Sequence, residues 1–196
     1  MQLELLSEPD RHKAGDCPGI PLARDVTGRA EFDGPRDCYR YVLERLWDTA
    51  KLTALVVMMN PSIGDPMFDD RTVAKVTKLV RRWSWEGRES AFGRLLVGNT
   101  FAYRCTDQGR LLEVPDPVGP GNDAALRQMA REAALVVFAY GTPKVPRLRP
   151  RGPQVVDMLA DNGVVPHALR VTGNRPHHPL YLPDATVPHR WHGPWA

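Results

Sequence analysis

Three apolar runs, residues 53–59, RLLVGNTF from Arg94 and AALVVFAYG from Ala133, are each about one strand long, and stretches of helical spacing separate them. A continuous β-branched and apolar run is buried on both faces, which requires a sheet covered by helices on both sides. Between the first two runs, DDRTVAKVTKLVRRW sets Val73, Val76, Leu79 and Val80 on one stripe behind an Asp69 or Asp70 cap. GPGNDAALRQMAREA reads as a Gly/Pro turn, an Asn122 or Asp123 cap and a second helix, and PRGPQVVDMLADNG as a third, stopped at Asn162-Gly163. PHALRVTG supplies a fourth strand. Upstream, CYRYVLERLWD brings Tyr41, Val42, Leu46 and Trp47 near one face at helical spacing, which predicts an amphipathic helix over 38–48. The alternation predicts an α/β fold, a three-layer sandwich with a four-stranded, mainly parallel central sheet and right-handed crossovers.

A chain of 196 residues is the size of one domain, so 1–196 is read as a single unit. Residues 1–37, rich in Gly, Pro and charge, read as an irregular or short-stranded N-terminal extension containing the β-compatible LELL. Residues 184–196 read as a C-terminal tail, and the Pro/Arg stretch 142–153 as a mobile loop. With 42% hydrophobic residues and both charge signs interspersed, the chain does not have the composition of a disordered one. The 26 Lys and Arg against 23 Asp and Glu give a formal charge of +3, which permits a phosphate-bearing partner without requiring one. Cys17, Cys38 and Cys105 have no CxxC spacing and fit reduced thiols, hence a cytoplasmic setting. No stretch has the length and apolarity of a signal segment or a membrane span, so no membrane partner is expected.

In an open parallel sheet, ligands sit beyond the carboxyl ends of the strands. Here the first run ends in Asn60-Pro61-Ser62, the second in Asn99-Thr100-Phe101, the third in Tyr140-Gly141, and the fourth leads into TGNRPHHPLYLP. Taken singly, each has an ordinary explanation: Asn-Pro starts turns, a lone glycine marks a turn, and histidines in a Pro-rich loop are solvated surface. Turn residues alone would have no reason to collect at the same end of every strand. Asp65, Asp69 and Asp70 supply possible carboxylates beyond the first strand; Asp65 has no evident structural duty and is the better candidate for a general base, whereas Asp70 is expected to cap a helix. No HxxxH or HExxH spacing supports a metal among Asp65, Asp69, Asp70 and the histidines, so no metal or other cofactor is expected. GPGND lacks the Walker lysine and the dinucleotide fingerprint. Cys105 reads as a structural thiol and RRWSWEGR as a helix end packed by Trp83 and Trp85.

The segments RYVLERLW, MNPSIGDPMFDDRT, GNTFAYRCTD, DPVGPGND, FAYG and HHPLYLP together resemble the bacterial domain-of-unknown-function family 1643 over residues 36–183. More distantly, strands ending in Asn-Pro, in Asn and in aromatic-Gly, followed by a His-Pro loop, are similar to the uracil-DNA glycosylase superfamily. That resemblance implies a uracil-DNA glycosylase-like fold in which Asn60 positions the attacking water, with Pro61 stiffening its turn. It further implies that Asn99 reads the base edge, His178 donates to the departing base, and Phe68 or Phe101 stacks on it. Met59 stands where the superfamily often has glycine, and Leu180 and Tyr181 where its last loop continues with serine. The serine difference weakens the implied DNA-backbone contact and widens the substrate to nucleosides and nucleotides.

The expected site therefore comprises Asn60, Asp65 and His178 as catalytic groups. Pro61, Ser62, Phe68, Asn99, Phe101, Arg104, Tyr140, Gly141 and Tyr181 are expected to contact the ligand. For a nucleic-acid partner, Arg81, Arg82, Arg104, Arg147 or Arg149 would supply a positive rim. The expected function is cleavage of a nucleobase N-glycosidic bond in nucleic acid, a nucleotide or a nucleoside; the alternative is a non-catalytic nucleotide- or nucleic-acid-binding module on the same fold. The oligomeric state is not legible in the sequence.

Overall fold

The computed structural model describes residues 19–194. Cys17 and the LELL stretch lie outside them. The apolar runs form the middle of a mixed sheet whose strands, in chain order, are β1 (Thr27–Asp33), β2 (Tyr39–Leu46), β3 (Leu52–Met58), β4 (Phe92–Asn99), β5 (Leu135–Phe138), β6 (His167–Ala168) and β7 (His189–Arg190). Their spatial order is β7-β6-β5-β3-β4-β2-β1. β3 runs parallel to β4 and β5, and β5 parallel to β6. β2 pairs antiparallel with both β4 and β1, and β7 antiparallel with β6. The expected four-stranded, mainly parallel sheet is thus corrected to a seven-stranded mixed one, extended at both edges by antiparallel strands.

The largest correction concerns residues 38–48, which form β2 and not a helix. The register against β1 pairs Glu31 with Val42 and Phe32 with Arg40, so Tyr41 is an extra, bulged residue. A bulge shifts the inward and outward alternation by one position. Arg40 and Leu43 then share a face three residues apart, and Val42 and Leu43 pack into opposite cores. Three-residue spacing is also what a helix gives, which explains the misreading. The stretch expected as a tail instead returns to the sheet at β7, and the following Trp191 is buried edge-on against Phe138, ring centroids 6.0 Å apart.

Three α-helices stand among the described residues: α1 (Arg71–Val80), α2 (Asn122–Glu132) and α3 (Arg151–Ala160). Alternate side chains of β3 face opposite layers. Ala54, Val56 and Met58 meet Val73, Val76, Leu79 and Val80 of α1, while Leu55 and Val57 meet Leu126 and Met129 of α2 and Val155, Val156 and Leu159 of α3. At 10 residues, α1 is shorter than the ~12–15 at which an isolated helix becomes marginal, so its buried stripe holds it in place, each valine or leucine contributing about 1.5–3 kcal/mol. Asp70 caps it, Oδ1 accepting from the amides of Thr72 (2.8 Å) and Val73 (2.9 Å). The cap expected from Asn122 or Asp123 is not made: Gly121 takes that position, and the buried Asn122 instead donates Nδ2 to the carbonyls of Asn99 (2.9 Å) and Thr100 (3.3 Å). In the Pro/Arg stretch Leu148 is buried and the Arg149 guanidinium donates to the Pro143 carbonyl, 3.0 Å away. No helix among the described residues is long and apolar enough to cross a membrane.

Candidate functional site

Beyond the carboxyl ends of β3 and β5 lies a cleft of about 460 Å³, walled by Met58, Met59 and Ile63 and bearing polar groups from five segments of the chain. Asn60, Ser62, Tyr140, Gly141 and His178 all line it, as the positions of the strand endings predict. The Asn60-Pro61 turn is clamped reciprocally to a neighbouring segment. The Cys105 amide donates to the Pro61 carbonyl (3.0 Å), and Asn60 Nδ2 donates to the Cys105 carbonyl (2.7 Å). That amide nitrogen also reaches the Pro61 carbonyl (3.1 Å) and Cys105 Sγ (3.4 Å), which leaves Oδ1 as the free, acceptor end of Asn60.

Gly141 has φ +68, and a Cβ there would lie 3.2 Å from the Cβ of His178; glycine at this position lets the end of β5 pass close to the His178 loop. His178 Nδ1 accepts from the Leu180 amide (3.4 Å), which assigns the ring proton to Nε2. Burial lowers the His178 pKa against the opposing pull of Asp70, so at neutral pH the ring is an uncharged donor. Tyr140 packs on α3 at Gly152, where a Cβ would stand 2.4 Å from its ring, and burial raises its phenol pKa. Burial likewise pushes the Cys105 thiol up to about 12; it is protonated at neutral pH and unsuited to nucleophilic attack.

Several expected contacts lie elsewhere. Asp65 does not line the cleft: its Oδ1 accepts from the amides of Met67 (2.7 Å) and Phe68 (2.8 Å), a turn-closing duty that the sequence did not reveal. Pro61 contributes its carbonyl to the clamp but does not line the cleft. Phe68 pairs with Pro21 in a short two-stranded ladder, and Phe101 is buried in the core on the α2 and α3 side. Asn99 is 1% exposed, its Oδ1 accepting from the Arg40 guanidinium at 3.2 Å, so Arg40 and not Asn99 faces the cleft. Tyr181 is exposed in an adjoining groove that shares Gly141, Thr142 and His178 with the cleft.

The arginines expected at the rim are otherwise engaged or distant. Arg81 pairs with Asp25, Arg104 stacks over Phe32 and donates to the Asp37 carbonyl (3.1 Å), and neither Arg82 nor Arg147 lines the cleft. Arg40 and Arg71 line the cleft, and Arg170 and Arg175 line the adjoining groove. The GPGND turn is filled by protein, a Cβ at Gly119 falling 2.9 Å from the Tyr39 ring and one at Gly121 3.0 Å from that of Tyr41. Trp83 is buried and donates Nε1 to the Thr186 carbonyl (3.0 Å), as a core anchor. Among the described residues no three of His, Cys, Asp and Glu gather as a metal site.

Arg40 and Arg71 are additions that the sequence did not supply. The signal for Arg40 was present, a lone arginine between aromatic and apolar neighbours, but it lay in a stretch read as a helix. A family described as "Protein of unknown function (DUF1643)" matches residues 40–180. No curated protein and no solved structure matches the chain.

Proposed function

The chain belongs to the DUF1643 family, and from the geometry of its cleft we propose that it binds a nucleobase-containing ligand there and hydrolyses the N-glycosidic bond. The observation that carries this reading is the convergence of Asn60, Asp70 and His178 on one cleft at the carboxyl ends of parallel strands. It accords with the resemblance to the uracil-DNA glycosylase superfamily, as does the run of four parallel strands between helical layers.

Cleaving a C–N glycosidic bond builds positive charge on the sugar and negative charge on the base, so a carboxylate and a water are wanted at the sugar and a neutral donor at the base. Asn60 Oδ1 holds the water. The water oxygen bonds to the anomeric carbon as the C–N bond breaks, and Asp70 accepts the released water proton. The electron pair stays on the base nitrogen, stabilised by the hydrogen bond from His178 Nε2–H. Asp70 takes the role expected of Asp65.

One observation favours a binding module without chemistry: Asp70 Oδ1 is already committed to the α1 cap, so a single carboxylate oxygen remains for catalysis. Base release from nucleosides, nucleotides and oligonucleotides, including ones with damaged bases, separates the two readings. The hydrolase releases base, with His178→Ala slowing turnover by ~100-fold or more while circular dichroism stays native. Tight binding without base release from any substrate would leave the binding module, and full activity of His178→Ala would remove this histidine from the mechanism.

A further inference from the structure

Two fully buried arginines lie five positions apart on β2, and their surroundings differ. Arg45 is 0% exposed and satisfied: Nε donates to Asp69 Oδ1 (2.7 Å), Nη1 to the Glu44 carbonyl (2.8 Å), and Nη2 to the carbonyls of Asp65 (2.6 Å) and Phe68 (3.1 Å). It has a carboxylate partner and four hydrogen bonds, the arrangement of a buried structural cation.

Arg40 is 1% exposed and makes two bonds, Nη1 to the Gly64 carbonyl (2.7 Å) and Nη2 to Asn99 Oδ1 (3.2 Å). A guanidinium carries five N–H donors, so three are unspent, including the single one on Nε, which has no partner. No carboxylate forms an ion pair with it among the described residues, although the charges of Asp70 and Asp69 favour its charged form, and unlike Arg45 it borders the cleft. Burial lowers its pKa to about 10, which leaves it charged at neutral pH. A buried, charged donor set that the protein itself leaves mostly unpaired is matched by an anionic acceptor. Arg71, at the first position of α1, has its exposed side chain in the same cleft, and the hydroxyls of Ser62 and Thr72 also line it.

We propose that Arg40 forms the floor of an oxyanion recess in the cleft, with Arg71 at its mouth, and that the ligand is a nucleoside monophosphate whose terminal phosphate enters this recess. The inference deepens the nucleobase reading above and rests on it. A terminal phosphate is required because so little of Arg40 is exposed: the anion approaches end-on, which a phosphodiester with chain on both sides cannot do. Phosphate suits the donor set better than carboxylate because its tetrahedral dianion can accept two parallel N–H bonds from Arg40 and still offer oxygens to a second cation.

The test is calorimetric titration of the full chain with each nucleoside, its 5′-monophosphate and a dinucleoside phosphodiester, and with inorganic phosphate, ribose 5-phosphate and acetate. The monophosphate of the preferred base is expected to bind at least ~30-fold more tightly than the nucleoside, with phosphate competing and acetate not. Arg40→Gln should reduce monophosphate affinity to that of the nucleoside, and Arg71→Ala should weaken it several-fold. If Arg40→Gln does not fold, the wild-type comparisons decide. Equal affinity for nucleoside and monophosphate overturns the recess and leaves the nucleobase reading standing. Ribose 5-phosphate binding as tightly as every monophosphate supports the recess and overturns the nucleobase reading. A phosphodiester that matches the monophosphate overturns the terminal-phosphate assignment, and acetate competing as well as phosphate overturns the choice of phosphate.

Discussion

Asp70 holds two positions at once, capping α1 with Oδ1 while lining the cleft beside Asn60 and His178. Its capping role was legible from an acidic residue just before an apolar stripe, and it stood among the possible carboxylates, but no spacing rule shows which way the other carboxylate oxygen faces. For Asp65 the reverse held: its turn-closing bonds to Met67 and Phe68 are local, yet they depend on a loop geometry that the Asp-Pro pair alone did not disclose. The two roles of Asp70 can be separated, because serine is as good an N-cap as aspartate and carries no charge. Asp70→Ala is expected to cost about 1 kcal/mol in a urea titration and to lose base release. Asp70→Ser should return the stability while leaving turnover ~100-fold or more below the wild type. Wild-type turnover in Asp70→Ser would reduce Asp70 to a cap.

At the scale of elements, β2 determines most of what distinguishes the cleft from a simple strand-end crevice. Its bulge at Tyr41 turns Arg40 toward the loop that follows β3 and keeps Arg45 on the same side, where Asp69 meets it. The three central strands and all three helices were legible because each has one dominant period, sustained over a strand or several helical turns, that flanking Gly, Pro or Asp residues punctuate. β2 was not legible because one inserted residue converts period two into an apparent period three. The difference between the two arginines gives a stability prediction. Arg45→Met leaves Asp69 buried without its partner and is expected to cost about 3–5 kcal/mol by urea unfolding, because an uncompensated buried charge costs more than the pair contributes. Adding Asp69→Leu should restore most of that loss. If Arg45→Met alone is neutral, Arg45 is not the structural member of the pair, and its contrast with Arg40 loses its meaning.

The whole molecule closes its sheet with pieces drawn from near both ends of the described chain, β1 at one edge and the two-residue β7 at the other, and neither edge announces itself in sequence. The two-residue β7 carries too few residues for a period to register, and its place is set by distant contacts such as Trp191 on Phe138; β1 alternates over seven residues, but its inward positions are Gly28, Ala30 and Phe32, two of them too small to mark an apolar face. Two histidines in different parts of this assembly tie its stability to pH. His178 borders the cleft, where burial lowers its pKa against the pull of Asp70. His167 sits in β6 against Trp85, ring centroids 5.3 Å apart, where burial is the main cause of its lowered pKa and the charge of Arg190 and neighbouring His189 add to it. Above the ordinary histidine value of about 6.5, both rings are neutral in the folded and unfolded chain, and neither contributes a slope. As pH falls below that value the unfolded chain binds protons that the folded chain still refuses, so stability falls until pH passes the two folded-state values. The depressed carboxylates Asp25, Glu132 and Asp184 lose their contribution only in more acid solution, below their ordinary values near 4, and Asp69, whose carboxyl burial raises, takes up its proton more readily folded than unfolded and so opposes the fall; the histidines are the groups that lower stability just below 6.5. The urea midpoint is therefore expected to fall from pH 7 towards pH 5 with an unchanged denaturant slope. His167→Gln and His178→Gln together should flatten that fall, each alone removing part of it. A midpoint that holds steady down to pH 5 in the wild type would show that neither ring resists protonation in the folded chain, and with it would go the burial of His178 as the cause that keeps its ring uncharged below 6.5.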